Sequence, residues 1–181
     1  MASWVDPLVV GRVIGDVVDM FVPMAGMTIN YGMKHINNGC QIKPSMAADA
    51  PKVTISGNSD ELYTLVMTDP DAPSPSEPTM REWVHWYVAS LSSSATNGIN
   101  VEMGVGKEIL AYMGPRPPVG IHRYILLLFK QRDPIGLIDQ PSSRANFNTR
   151  HFAGALGLGL PVAAVYFNSQ KEPSSNRRRH H

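Results

Sequence analysis

Short apolar runs, each bounded by turn residues, constrain this chain more than any other feature: Met27 to Tyr31, Lys52 to Ser56, Leu62 to Thr68, Trp83 to Ser90, Ile121 to Lys130 and Pro161 to Asn168. Runs of this length, rich in β-branched and aromatic residues, read as strands. Helical patterning is confined to two places. Near the start, Asp6-Pro7 supplies a capping acid and a first-turn proline ahead of Leu8, Val9, Val13, Ile14, Val17 and Val18. Near the end, Asn148 to Leu156 reads as a helix stopped by Gly157 and Gly159. Asn38-Gly39 is a tight-turn dipeptide between two β-like segments. Strands joined by turn-rich loops, with helices only near the ends, predict a predominantly antiparallel β architecture.

With 181 residues and 43% hydrophobic content, the chain can bury a sizeable core. The expectation is one domain over residues 1–172 and a basic, disordered tail over 173–181. From Lys171 to the end, Lys171, Arg177, Arg178 and Arg179 outweigh Glu172, so the net charge of +1 leaves the body slightly acidic. Such a body is poorly suited to neutralising many phosphates, which argues against direct nucleic-acid binding. The serine- and glycine-rich stretch from Leu91 to Gly106 reads as a mobile surface loop. Cys40 is alone, so no internal disulfide can form, and the apolar run from Leu8 to Val22 is broken by Arg12, Asp16 and Asp19. Without a signal-peptide pattern or a glycosylation sequon, a cytoplasmic and nuclear location is expected.

Two proline-dense segments, Thr68 to Pro75 and Pro115 to Arg123, form stiff rims where apolar runs meet loops. Asp69 and Asp71 close the run that starts at Leu62, and His122 opens the run that follows the second rim. Strand alternation would put Trp83, His85 and Tyr87 on one face with Val84, Trp86 and Val88 on the other, and His122 on a face with Tyr124, Leu126 and Leu128. The two carboxylates and two histidines would then converge on a small concavity. Protonated imidazoles beside carboxylates could donate to an anion, which suits a phosphate monoester or a phospholipid headgroup. The same residues have other readings: strand histidines often satisfy hydrogen bonds in a core, and two His with an Asp can hold a metal, although no H-x-H or H-E-x-x-H spacing is present. A hydrolytic or metal enzyme using this pocket is the alternative. No G-x-S-x-G elbow exists, and the glycines from Gly154 to Gly159 are in the wrong order for a dinucleotide loop.

Across nearly its whole length the chain resembles the phosphatidylethanolamine-binding protein family. The resemblance rests on Asp69-Pro70-Asp71-Ala72-Pro73-Ser74-Pro75, Gly120-Ile121-His122-Arg123, Leu65-Val66-Met67-Thr68, Asn146-Phe147-Asn148-Thr149-Arg150 and Leu158-Gly159-Leu160-Pro161. Within the family it is similar to the plant flowering-regulator branch. Arg81-Glu82-Trp83, Met113 to Gly120 and Gln170-Lys171-Glu172-Pro173 look most like its Mother-of-FT subgroup. The resemblance implies a large antiparallel sheet packed against a smaller one, with peripheral helices. It also implies an anion pocket lined by Asp69, Asp71, Pro73, His85, His122 and Tyr124, with no catalytic residue, metal or cofactor.

The same resemblance implies a non-enzymatic regulatory role in seed germination, dormancy and flowering, including abscisic acid responses. Partners would be bZIP transcription factors, engaged directly or through a 14-3-3 adaptor. Trp83 occupies the position that separates promoter from repressor, Tyr in one and His in the other, and matches neither. The adaptor surface would include Asp60, Thr64 and Lys130. Asp60 and Lys130 stand where florigens carry Arg, and the stretch from Ala89 to Ser92 lacks the expected D-I-P segment, so adaptor binding of the florigen kind is expected to be weak.

Overall fold

The computed structural model describes residues 4–57, 60–92, 106–136 and 140–174. Strands β1 (Gly26–Tyr31), β2 (Lys34–His35) and β4 (Lys52–Ser56) form a small antiparallel sheet in the order β2-β1-β4. The larger sheet has six strands: β3 (Cys40–Gln41), β5 (Leu62–Asp69), β6 (Trp83–Ser92), β7 (Lys107–Leu110), β8 (His122–Gln131) and β9 (Ala163–Ser169), in the order β3-β9-β8-β5-β6-β7. All its pairings are antiparallel except β3 with β9. All six expected strands are present, with ends shifted by a residue or two. The two-residue strands β2 and β3, and β7, were not anticipated, because so few residues carry no alternation to read.

The main core lies between the sheets. Ile29, Val53 and Ile55 of the small sheet meet Leu65, Met67, Trp86, Leu126 and Leu128 of the large one. The opposite face of the large sheet is also covered. Ile125, Leu127 and Phe129 pack under Val13, Val17, Phe21 and Ala153, and Val66, Val84 and Tyr87 form a third cluster. A sheet buried on both faces requires continuous apolar strands, which is why Ile125 to Phe129 contains no polar residue.

Helical structure is smaller than expected at the N-terminus. Asp6 caps a single turn, α1 (Pro7–Val10), by accepting from the Leu8 amide at 2.9 Å. Arg12 then takes a left-handed conformation, and a second turn, α2 (Val13–Asp16), contains non-helical Ile14 and Gly15. The periodic apolar residues reach the core from a broken chain instead of one helix. Helix α3 (Thr149–Ala155) forms as expected, with the Asn148 side chain accepting from the His151 amide.

Asn38-Gly39 makes a turn with Gly39 at φ +82, but no hairpin: β2 before it pairs in the small sheet and β3 after it pairs in the large one. Leu91 and Ser92, expected in a loop, extend β6, and Leu91 is buried in the main core. The rest of that expected loop, 93–105, and nearly all of the expected tail lie outside the described residues. Among the described residues, no helix is long and apolar enough to cross a membrane.

Candidate functional site: a cavity at the end of β5

Antiparallel pairing brings the rims together. Asp69, the last residue of β5, lies opposite Trp83, the first of β6, while His122 opens β8 on the other flank. Between Met67↔Trp86 and Thr68↔Val84 the register slips, leaving His85 as the extra residue of a β-bulge. The expected alternation therefore fails here. Val84 joins Tyr87 in the outer cluster, and Trp86 joins Val88 in the main core. A bulge re-aims the side chain it carries, and His85 packs edge-on against Tyr124, ring centroids 5.1 Å apart.

A cavity of about 240 Å³ opens at this junction. Pro73, Met80, Trp83, Met113 and Pro118 contribute apolar wall, and Asp69, His85, His122, Tyr124 and Arg116 contribute polar groups. The second rim is fixed by close approach. A Cβ on Gly114 would lie 2.8 Å from the Ala47 carbonyl oxygen, and one on Gly120, at φ +77, would lie 2.8 Å from Pro75.

His122 is engaged at both nitrogens: Nδ1 donates to Asp69 Oδ2 at 2.7 Å and Nε2 donates to the Val119 carbonyl at 2.8 Å. Two acceptors call for two N–H groups, so the ring is an imidazolium. Burial opposes that charge, but the hydrogen bond to Asp69 and its negative charge outweigh it and raise the pKa. Asp69 is itself oriented, its Oδ1 accepting from the Asp71 amide at 2.8 Å. The expectation that His122 donates to a ligand is thus corrected: its donors are already spent, and it contributes charge through space.

His85 is the opposite case. It is 4% exposed, and burial lowers its pKa to about 4 against the weaker pull of the Met113 carbonyl and Asp69. The neutral ring donates from Nδ1 to the Met113 carbonyl at 2.7 Å, and the Met113 amide returns a bond to the His85 carbonyl at 2.9 Å. Nε2, left with a lone pair, is an acceptor. A protonated His85 was expected; burial excludes it.

Asp71 does not line the cavity. It lies behind the wall, bound to Arg123. Pro73, Trp83 and Tyr124 line the cavity. Thr64, expected on a partner surface, is fully buried, its hydroxyl donating to Gln131 Oε1 at 2.8 Å, because β5 is a central strand of a doubly covered sheet. Asp60 is exposed, and Lys130 is paired with Glu61 at 2.7 Å.

Two residues were missed. Arg116 is the exposed cation of the cavity, and the signal was available, since it is the one charge between the flanking prolines of the second rim. Arg144 donates to the carbonyls of Val84, His85 and Ala111 at 3.2, 2.9 and 2.7 Å, clamping the bulge to the residue that follows β7. It is distant in sequence, so no local pattern could reveal it. His122, carrying a proton on each ring nitrogen, offers no lone pair to a metal, and no group of three or more His, Cys, Asp or Glu side chains among the described residues could share one.

Fold and site together define a two-sheet β protein with a small, mostly apolar cavity built around a charged and a neutral histidine. The phosphatidylethanolamine-binding protein family model matches residues 22–167, and the chain belongs to that family. The protein MOTHER of FT and TFL1 homolog 2 of Oryza sativa subsp. japonica is 54% identical over 180 residues, covering 98% of this chain and 100% of that one. TERMINAL FLOWER 1 of Arabidopsis thaliana is 41% identical over 175 residues, covering 96% of each. Among solved structures, the carboxypeptidase Y inhibitor in complex with its cognate proteinase shares the fold with a TM-score of 0.81 at 23% identity, over 92% of this chain and 94% of that one. The solution structure of CG7054 matches with a TM-score of 0.66 at 35% identity, over 88% and 92%.

Proposed function

We propose that this chain is a non-enzymatic regulatory protein of plant development whose cavity binds a phosphate-bearing small molecule or phospholipid headgroup. The observation that carries this reading is the locking of both histidines. A general acid or base must exchange a proton with its substrate. Yet both His122 protons are held internally, and His85, its Nδ1 proton held by the Met113 carbonyl, has its pKa lowered to about 4 by burial, which leaves its free Nε2 a weak base. The groups left for a ligand suit recognition: the Arg116 guanidinium for phosphate oxygens, and the His85 Nε2 lone pair with the Trp83 and Tyr124 faces for a headgroup ammonium.

The regulatory part is supported by the names of plant relatives that match nearly end to end. In this reading the protein acts in the cytoplasm and nucleus, in seed germination, dormancy and flowering with abscisic acid signalling. It engages bZIP factors directly or through a 14-3-3 adaptor.

Calorimetry with phosphoethanolamine and with inorganic phosphate tests the cavity. Affinities in the micromolar to millimolar range are expected, about −4 to −8 kcal/mol, with phosphoethanolamine the tighter. Arg116→Gln should weaken both about tenfold. No binding of either probe, or cleavage of phosphoethanolamine followed by phosphorus NMR, would overturn the reading.

A further inference from the structure

On the far side of β6 lies a second, larger cavity of about 550 Å³, between the segment around residues 141–148 and helix α3. Its apolar surface comes from Ile135, Phe147, Phe152 and Leu156, together with the ring of Tyr87. Ser143, Asn146 and His151 supply polar groups. Its size falls in the range of drug-sized ligand sites. Among the described residues its lining contains no Lys, Arg, Asp or Glu, which sets it apart from the cavity that holds Arg116.

Tyr87 gives this cavity a specific chemistry. The residue is 1% exposed, and its hydroxyl is buried without a hydrogen-bond partner. Buried polar groups are nearly always paired, so an orphaned hydroxyl at a cavity wall calls for an explanation. Burial pushes its pKa up to about 12, so it is a neutral donor and acceptor at physiological pH. Phe152 packs edge-on against it at 5.0 Å and is tilted against Phe147 at 5.1 Å. These flat faces suit a ring system.

We propose that this cavity is a binding site for a neutral, ring-bearing apolar molecule carrying one hydroxyl or carbonyl group, which pairs with the Tyr87 hydroxyl. Neutrality follows from the described lining: a charged ligand would be desolvated against aromatic side chains, with no carboxylate, lysine or arginine among the described lining residues to meet it. The inference is independent of the phosphate reading, because the two cavities share no residue. Because the Tyr87 hydroxyl is buried, the side chains packed around it have to yield as the ligand seats.

The test uses the full chain and three probes of one shape: 2-naphthol, naphthalene and 2-naphthoate, followed by shifts of backbone amide resonances. 2-Naphthol should shift amides between residues 142 and 156, bind at least fivefold tighter than naphthalene, and exceed 2-naphthoate about tenfold. Tyr87→Phe removes an unpaired hydroxyl and should leave the fold intact. It should erase the 2-naphthol advantage while sparing naphthalene. Ala155→Phe, at an exposed lining position, should block all three. Shifts confined to other regions, equal affinity for 2-naphthol and naphthalene in the unmodified protein, or an advantage that survives Tyr87→Phe would each overturn the proposal.

Discussion

Asp71 and Arg123 are joined by three hydrogen bonds: the Arg123 Nε and backbone amide reach Oδ2 at 2.9 Å each, and Nη2 reaches Oδ1 at 2.8 Å. The same guanidinium donates from Nη1 to the Gly11 carbonyl and pairs with Asp16, both at 2.9 Å. One arginine at the start of β8 therefore fastens the acidic turn of the first rim to the N-terminal turns. Asp71 positions the cavity wall, while Asp69 orients His122.

Replacing Asp71 with Asn should strip this arginine of its main counter-charge inside the protein, where the two side chains are 5% and 14% exposed. Breaking such a pair costs about 3–5 kcal/mol. Burial works to raise the Asp71 pKa, but the hydrogen bonds and charge of Arg123 prevail and lower it. The contribution is therefore present above the ordinary carboxylate range and is lost as pH falls below about 4. Urea unfolding of both proteins checks this at neutral pH and near pH 3. The gap should be large in the first case and reduced in the second, and a gap under about 1 kcal/mol at neutral pH would mean the pair is dispensable.

His85 should give stability an acid sensitivity of the same sign as that ion pair, but one that sets in at a higher pH. Its folded pKa lies at about 4, below the ordinary 6.5, so the unfolded chain binds the extra proton first. The contribution is whole above pH 6.5 and declines as pH falls towards 4, by about 3 kcal/mol at about 1.4 kcal/mol per unit. His85→Gln should flatten that part of the stability profile. Imidazole resonances followed by NMR offer a direct check, and a His85 titrating near 6.5 would refute the buried, neutral ring.

The strands and the meeting of the two rims were legible because they depend on local alternation and on where prolines interrupt it. His122, Tyr124, Leu126 and Leu128 do share a face, as β8 has no irregularity to disturb them. The face of His85 was misread because a bulge inserts one residue, and nothing in Val84-His85-Trp86 announces it. The protonation state of His85 and the occupied donors of His122 were missed for a related reason. They depend on the Val119 and Met113 carbonyls and on burial, all supplied by the folded chain. Thr64 was misplaced because its surface role came from the resemblance alone, and nothing local shows that its partner, Gln131, is brought beside it by β8.

That Thr64 contact leads to a prediction of its own. Gln131 Oε1 accepts from both the Thr64 hydroxyl and the Ser90 amide at 2.8 Å, and Ser90 sits at φ 55 where β6 shifts register. Thr64→Val removes one donor and should cost about 1 kcal/mol, whereas Gln131→Leu strands two donors and should cost about 2–4 kcal/mol. In the double variant the losses should fall short of additive. Equal costs for the two single variants, measured by denaturant midpoints, would show that Gln131 does not organise this turn.

With Thr64 buried, only Asp60 and Lys130 of the proposed adaptor surface are left for contact. Asp60 is exposed, and its carboxylate would face an acidic adaptor where an arginine would attract it. Lys130 is 47% exposed and already paired with Glu61, so its charge is partly answered within the chain. Exposed charges of this kind act mainly on association rate. Asp60→Arg combined with Lys130→Arg should therefore strengthen binding to a 14-3-3 protein by about three- to tenfold, chiefly through faster association. The gain should shrink as salt is raised from about 50 to about 300 mM, where screening shortens the reach of surface charge. Surface plasmon resonance at both salt levels separates the outcomes. Tight, salt-insensitive binding by the unmodified protein, or no change in the double variant, would place the adaptor on another face of the molecule.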